Sequence, residues 1–493
     1  MPDASFFSQA MIQAAIDAGN VTEAQIDDSC NRILSSYFAV PKAMRVPGPC
    51  GGGDCINKTV TRPEHKALAR KISAMSTVLL QNKGDLLPLD LKKKRRIVLF
   101  GSDAMIPYTG GSGSGAVDPG ADVVSPLAAL AALGQDVSVA SGDPATAAAA
   151  ADVAIVFGSA HTGEGHDRLN LTLGGGIDAL IPVVGAAQKN TVVVLLTPGS
   201  ILTDWRDHVS AIMYMGLPGE QVGHAVGDII FGAINPQAKL PISMPNKENE
   251  QGFTVAQYPG IACYDKEIPF PGAGGTGAKS WPNKSEKGSD KGSPNGKCKC
   301  TNPACDVEAS YTEGQIVGYR WCGNFDIIFG PPFTHSSMRD YAVPTFISCR
   351  LVPAIRCCAQ IGGFRYDKMN VKPAFGFGHG LTYGGGMTYA GLQISGRTVS
   401  FSITGTGCDT PQVYIGYPTA ATDPKVPAKV LRYFQKVCAA AVDGPTTVRY
   451  TLTDRDVSNW SAASKIFTVT AGSYKVYVGS SSQDIRLTGS VTV

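Results

Sequence analysis

The chain has 493 residues and a net charge of +3, from 43 Lys and Arg against 40 Asp and Glu, which is too long for one ordinary core and too evenly charged for a nucleic-acid surface. Its apolar runs are broken by Gly, Pro or charge well short of the ~20 residues that cross a bilayer, so no membrane partner is expected. Thirteen cysteines form no regular framework, and the C-x-C-x4-C set at Cys298, Cys300 and Cys305 has no neighbouring His, so no metal site is expected.

The first forty residues read as two helices. Thr22 and Gln25 form a capping box, and Ile26, Cys30, Ile33, Leu34, Tyr37 and Phe38 then recur at helical spacing. An amphipathic pair of this kind needs a surface to pack on, and it reads as the tail of a larger domain. Residues 1–11, MPDASFFSQAM, lack the charged start and apolar core of a signal peptide. Asn-x-Ser/Thr sequons beginning at Asn20, Asn57, Asn170, Asn283 and Asn459 are nevertheless compatible with secretion. A loop at 50–57, CGGGDCIN, and a helix over 63–80 follow.

The compact basic run at 92–96 precedes an apolar strand and reads as a solvated strand entry. From residue 97 short apolar runs alternate with helical stretches. Strands are expected at 97–100, 137–140, 153–157, 192–196 and 211–215, and helices at 126–133, 145–151, 177–188 and 220–231. That alternation predicts a layered α/β domain whose mostly parallel sheet is covered on both faces.

One stretch in this domain concentrates chemistry. Residues 153–173, VAIVFGSAHTGEGHDRLNLTL, carry a strand into small residues and then present Glu164, His166, Asp167 and Arg168 at its carboxyl end, where open α/β sheets bind ligands. On these residues alone the cluster is either a solvated turn with a local ion pair or a functional site. The earlier loop at 110–115, GGSGSG, lacks the G-x-G-x-x-G spacing and an immediate helix start, so no nucleotide cofactor is expected. It is either a plain surface loop or a place where backbone amides and Ser112 or Ser114 approach a polar ligand closely.

Residues 272–310 are rich in Lys, Gly, Ser and Pro without apolar periodicity, which predicts a poorly ordered insertion. After an aromatic and glycine bridge at 375–383, FGFGHGLTY, short strands are expected at 387–394, 398–404, 411–417, 446–452, 465–470, 473–480 and 485–491. Seven short strands with turn signals between them predict a β-sandwich.

Taken together, several stretches resemble the C-terminal part of glycoside hydrolase family 3, of the β-glucosidase and β-xylosidase type. They run in family order: VTEAQIDDSCNRIL, HKALARKISAMSTVLLQNKGDLLPLD, DVAIVFGSAHTGEGHDRLNLTL, AIMYMGLPGEQVGHAVGDIIFGAINPQAKLPIS, YTEGQIVGYRW, FGFGHGLTY, and LRYFQKVCAA through VSNW to YKVYVGSSSQDIRL. The resemblance implies a (β/α)8 barrel, an α/β sandwich and a fibronectin type III-like domain. Residues 1–45 would be the end of the barrel, 60–250 the α/β sandwich, 251–385 a linker with insertions at 272–310 and 322–365, and 386–493 the fibronectin-like domain.

The implied chemistry is retaining hydrolysis by two carboxyl groups about 5 Å apart, one from each domain at a crevice. Thr-Gly-Glu-Gly at 162–165 is similar to the family's acid/base motif, which gives that role to Glu164; Ser112, Ser114, His166, Asp167 and Arg168 would face the sugar or hold the loop. Asp167 and Arg168 match an Asp-Arg of the family, as an ion pair or as substrate contacts. The family's nucleophile, an Asp in a Ser-Asp-Trp-like motif, precedes a Met-Pro-Gly turn with which Met1 and Pro2 coincide, so no nucleophile is expected in this chain. Thr203-Asp204-Trp205 follows a strand of the second domain and matches a different family segment.

The expected partners are therefore a β-linked oligosaccharide or an aryl or alkyl glycoside, and a barrel domain or second chain to pack against. No cofactor is implied, and an extracellular setting would suit the full-length family member. A non-catalytic carbohydrate-binding or scaffolding protein, a β-xylosidase-type specificity and a nucleotide-dependent enzyme remain as alternatives.

Overall fold

The computed structural model describes residues 7–40, 60–164, 168, 170–254, 257, 310–312, 372–418, 426–439, 444–461 and 464–493. The insertions expected at 272–310 and 322–365, and the cysteines at 298, 300 and 305, lie outside the described residues except for Ser310. The chain divides into two compact units, Met1–His65 and Lys66–Val493.

In the first unit, helix α1 spans Gln9–Asp17 and α2 spans Glu23–Ala39. The capping box is formed as read: the Gln25 amide donates to Thr22 Oγ1, and the Thr22 amide donates to Gln25 Oε1 at 2.8 Å. None of the residues of α1 or α2 is buried, and Ile33, Leu34, Tyr37 and Phe38 leave the apolar stripe of α2 exposed.

The second unit opens with α3 (Pro63–Ser76), which begins three residues before the unit boundary. The helix expected over 63–80 stops at Ser76, and Val78–Asn82 is instead a strand, β1. Leu79 continues the spacing of Ile72 and Met75, so the helical pattern runs on in the sequence. Val78, Leu79 and Leu80 are nevertheless all buried, which a strand with both faces covered satisfies and one helix face does not.

The remaining elements of this layer are β2 (Arg96–Phe100), α4 (Pro126–Ala132), β3 (Asp136–Val139), α5 (Pro144–Ala149), β4 (Val153–Ser159), α6 (Ile177–Ala187), β5 (Thr191–Leu196), β6 (Ala211–Tyr214) and α7 (Val222–Ile230). The sheet order is β1-β6-β5-β4-β2-β3. β1 pairs antiparallel with β6, and every other pairing is parallel. β4 and β5 are buried along their whole length, because helices cover both faces of the sheet. Each apolar side chain so buried contributes about 1.5–3 kcal/mol, and two core clusters, one per face, hold the layers together.

The C-terminal sandwich closes a three-stranded sheet, β13-β8-β7, against a four-stranded one, β11-β10-β16-β17, over a shared core that includes Phe401, Ile415 and Tyr474. Here β7 is Thr388–Ser395, β8 Thr398–Thr404, β10 Gln412–Gly416, β11 Val430–Phe434, β13 Thr446–Thr451, β16 Ser473–Gly479 and β17 Ile485–Thr492. All seven expected strands are present. β11 and the short strands β9 (Gly407–Asp409), β12 (Val437–Ala439) and β14 (Ser458–Ser461) were not expected, and β14 pairs with β15 (Ile466–Val469). Cys408 and Cys438 face each other on β9 and β12 in a disulfide.

The FGFGHGLTY bridge ties the two layers. Phe375 pairs with Met244 and Leu381 with Leu79, while the Gln412 side chain donates to Gly378 O at 3.0 Å. His379 Nε2 lies 2.8 Å from Leu80 O. A carbonyl only accepts, so Nε2 carries the proton, and burial pulls this imidazole below its ordinary pKa. Among the described residues, no helix is long and apolar enough to cross a membrane, and no group of three or more His, Cys, Asp or Glu side chains is placed to hold a metal.

Candidate active site

In a parallel sheet, loops leaving adjacent strands emerge side by side at the carboxyl edge. β2 and β4 are neighbours, so the long loop after β2, with the Gly-rich run at 110–115, meets the loop after β4 that carries Glu164. Ser112 and Gly163 form a parallel bridge, and the Glu164 amide donates to Ser112 O at 3.2 Å. The Ser114 amide donates to Glu164 Oε2. What the Gly-rich loop holds here is therefore the chain's own carboxylate.

Two glycines permit this approach. At Gly113, with φ +93°, a Cβ would lie 2.2 Å from Glu164 Cβ, and at Gly163 it would lie 2.9 Å from Ser112 Cβ. Neither position has room for a side chain.

Glu164 is exposed, and its contacts with Ser114 hold its carboxyl below the usual carboxylate range. The lowered value means that the folded loop favours the ionised form. The stabilisation from the Ser114 contact is thus complete above the ordinary glutamate pKa and is lost as pH falls through the depressed one. Amide exchange is expected to show protection of Ser114 N at neutral pH, and less protection in acid after correction for intrinsic rates. Protection independent of pH would mean that the carboxylate does not hold this loop.

Beneath Glu164 lies a polar framework. Asp103, buried after β2, accepts from the Tyr108 amide at 2.9 Å and from Ser159 Oγ at 2.8 Å. Ser159 Oγ lies 3.2 Å from His161 Nε2, and the His161 and Tyr108 rings stack with centroids 4.1 Å apart. Tyr108 OH donates to Thr162 O at 2.9 Å and receives the Thr162 amide at 3.3 Å. None of Asp103, Tyr108, Ser159 and His161 stands out in the sequence. The signal that finds them is the adjacency of β2 and β4, which brings together two loops far apart in the chain.

The other sequence candidates separate. Arg168 donates to Ser200 O at 2.8 Å, so it ties the Glu164 loop to the one after β5, and burial lowers its pKa against the opposing charge of Glu248. His166 and Asp167 lie outside the described residues. Asp204 is exposed on a turn, Asp204–His208, that leads into β6, while the neighbouring Trp205 is buried and donates to Asp178 at 2.8 Å. The carboxyl edge is completed by the loop after β6, whose Gly219 amide donates to Thr109 O at 3.0 Å.

Residues 77–319 match the model of the glycosyl hydrolase family 3 C-terminal domain, and residues 409–482 match that of the fibronectin type III-like domain. The chain carries the C-terminal domain of glycoside hydrolase family 3. It is 27% identical over 560 residues to the probable β-glucosidase L of Aspergillus terreus and 30% identical over 538 residues to that of Aspergillus fumigatus. Both alignments use 100% of this chain and 62% of the relative, so the chain spans about three fifths of the length of these proteins. The structure of the β-glucosidase D2-BGL from Chaetomella raphigera superposes with a TM-score of 0.68 at 25% identity, over 98% of this chain and 63% of that one. DesR, a β-glucosidase from Streptomyces venezuelae crystallised with D-glucose, shares the fold at a TM-score of 0.70 and 22% identity, over 100% of this chain and 67% of its own. The family 3 layer is the six-stranded sheet with its helices, and Glu164 stands at its carboxyl edge.

Proposed function

We propose that this chain supplies the acid/base half of a retaining β-glucosidase-type glycoside hydrolase. Glu164 protonates the leaving glycosidic oxygen and then, as carboxylate, takes a proton from the attacking water. The second carboxylate, the nucleophile, comes from polypeptide outside these 493 residues. The observation that carries this reading is the position of Glu164, exposed at the carboxyl edge of β4 and pinned from two sides by the loop after β2. Asp103, the nearby buried carboxylate, has both oxygens engaged, by the Tyr108 amide and by Ser159 Oγ, which argues against it as the nucleophile.

The first step needs Glu164 protonated, whereas its contacts here favour the ionised form. A sugar covering the group and a nucleophile carboxylate about 5 Å away both act in the opposite sense, by desolvation and like charge. The acid form thus belongs to the assembled, occupied site. The bond cleaved is a terminal β-D-glycosidic one, and glucose and xylose are separated by contacts that the nucleophile-bearing polypeptide would supply.

The chain by itself is expected to hydrolyse an aryl β-glucoside no faster than its Glu164→Gln variant. Glu164-dependent turnover by the chain alone would overturn the one-carboxylate reading. In a longer polypeptide that joins it to a barrel carrying the nucleophile, Glu164→Gln should lower turnover by about 10²–10⁴-fold on a poor leaving group and much less on dinitrophenyl glucoside, which departs without a proton. Equal losses on both substrates would remove the acid role.

A further inference from the structure

We propose that Tyr108 and His161 are positioning residues that set where Glu164 stands, by locking the loop after β4 onto the loop after β2. The inference rests on Glu164 as the acid/base group and names what orients it.

The argument follows the hydrogens. Ser159 Oγ has one hydrogen, and the Asp103 carboxylate, which can only accept, takes it at 2.8 Å. Towards His161 the same oxygen is left as an acceptor, so His161 Nε2, at 3.2 Å, carries a proton and donates. That bond fixes the plane of the imidazole, and the Tyr108 ring lies on it with an interplanar angle of 12°. The Tyr108 amide is held by the other oxygen of Asp103, so one buried carboxylate anchors both members of the stack. Tyr108 OH then uses its hydrogen on Thr162 O and accepts the Thr162 amide, fixing both sides of the residue two places before Glu164.

From there the geometry is determined step by step. Thr162 is held by Tyr108, Gly163 bridges Ser112, and the Glu164 amide bonds Ser112 O. The carboxylate then meets the Ser114 amide. Loss of the tyrosine hydroxyl removes one hydrogen bond from the Thr162 carbonyl and one from its amide at once, at the point where the strand has ended.

The test uses the full chain, with the Glu164 carboxyl followed by carbon-13 NMR titration and amide protection followed by deuterium exchange. Tyr108→Phe keeps the ring stack and removes the hydroxyl. It is expected to reduce protection of the Thr162 amide about tenfold and to move the Glu164 midpoint upward, because the Ser114 contact loosens. His161→Phe, which keeps a stacking ring without the Nε2 donor, should shift the midpoint in the same direction. His161→Gln, which restores a side-chain N–H, should return it towards wild type. Tyr433→Phe, a tyrosine hydroxyl in the C-terminal sandwich, is the control and should change neither reading.

A folded Tyr108→Phe chain with unaltered Thr162 protection and an unaltered Glu164 midpoint would overturn the proposal. If that variant melts early, the His161 pair decides: equal midpoints for His161→Phe, His161→Gln and wild type overturn it. These readings need no turnover, so they stay distinct from failure of the acid/base assignment, which only the hydrolysis assay of the joined polypeptide reports.

Discussion

Gly113→Ala is expected to displace Glu164 while leaving the fold in place. The added Cβ would sit 2.2 Å from Glu164 Cβ and 2.7 Å from its Oε2, on a backbone with φ +93° that L-residues avoid. Carbon atoms settle at about 3.5–4.0 Å, so one loop must retreat by more than about 1 Å. A misplacement of that size can cost about 100-fold in turnover. In the chain alone it should appear as an upward shift of the Glu164 midpoint and lost protection of the Ser114 amide, and in a polypeptide that joins the chain to its nucleophile as the corresponding loss of rate. Residues 112–115 and Glu164 are exposed and belong to neither core of the sheet, so the unfolding midpoint should move little. A variant with wild-type titration and protection would show that the two loops do not need this contact.

Asp409→Ala is expected to have the largest effect on stability. Asp409 is 5% exposed and joins the sandwich to the α/β layer through Lys239 at 2.8 Å, while also accepting from Tyr389 OH at 2.8 Å and from the Thr410 amide. The Lys239 side chain is itself only 13% exposed. Attraction between the two charges offsets a large desolvation cost, and truncating one partner leaves the other ammonium buried, which costs about 3–5 kcal/mol. Burial and Asp409 together push the Tyr389 phenol far above its ordinary pKa, so it stays a donor that would also lose its acceptor. Urea unfolding should show the loss, and the paired change Lys239→Met with Asp409→Leu should recover much of it. A single-variant loss under about 1 kcal/mol would mean that water reaches the pair.

Much of the α/β layer is legible in the sequence for a physical reason. Strands covered on both faces read as unbroken apolar runs, as in β4 and β5, and proline at the first turn marks the starts of α4 and α5. β1 escaped because Leu79 continues the helical spacing of α3, with the buried Thr77 as the only break. β11 escaped because Arg432 interrupts its apolar alternation; the structure shows this arginine bonded to Tyr417 OH and the Asp456 carbonyl, which is tertiary information.

The site divides in the same way. Glu164 could be read because its neighbours form a compact motif. The stack of Tyr108 on His161 could not, because Tyr108 and Thr162 are 54 positions apart and meet only through the sheet order β4-β2-β3. Local pattern carries the identity of a reacting group more readily than the identity of what aims it.

The pairing of Met244 with Phe375 joins two parts of the chain that are far apart in the sequence. Met244 N donates to Phe375 O at 2.8 Å and Phe375 N to Met244 O, and the Asn246 side chain donates to Lys372 O at 2.9 Å. The segments around Met244 and Phe375 therefore lie side by side and are held by their own hydrogen bonds, with both of these side chains buried. Met244 and Phe375 share a buried cluster with Ile181 and Trp205, so the contact that ties the bridge to the α/β layer is also part of the core on that face of the sheet.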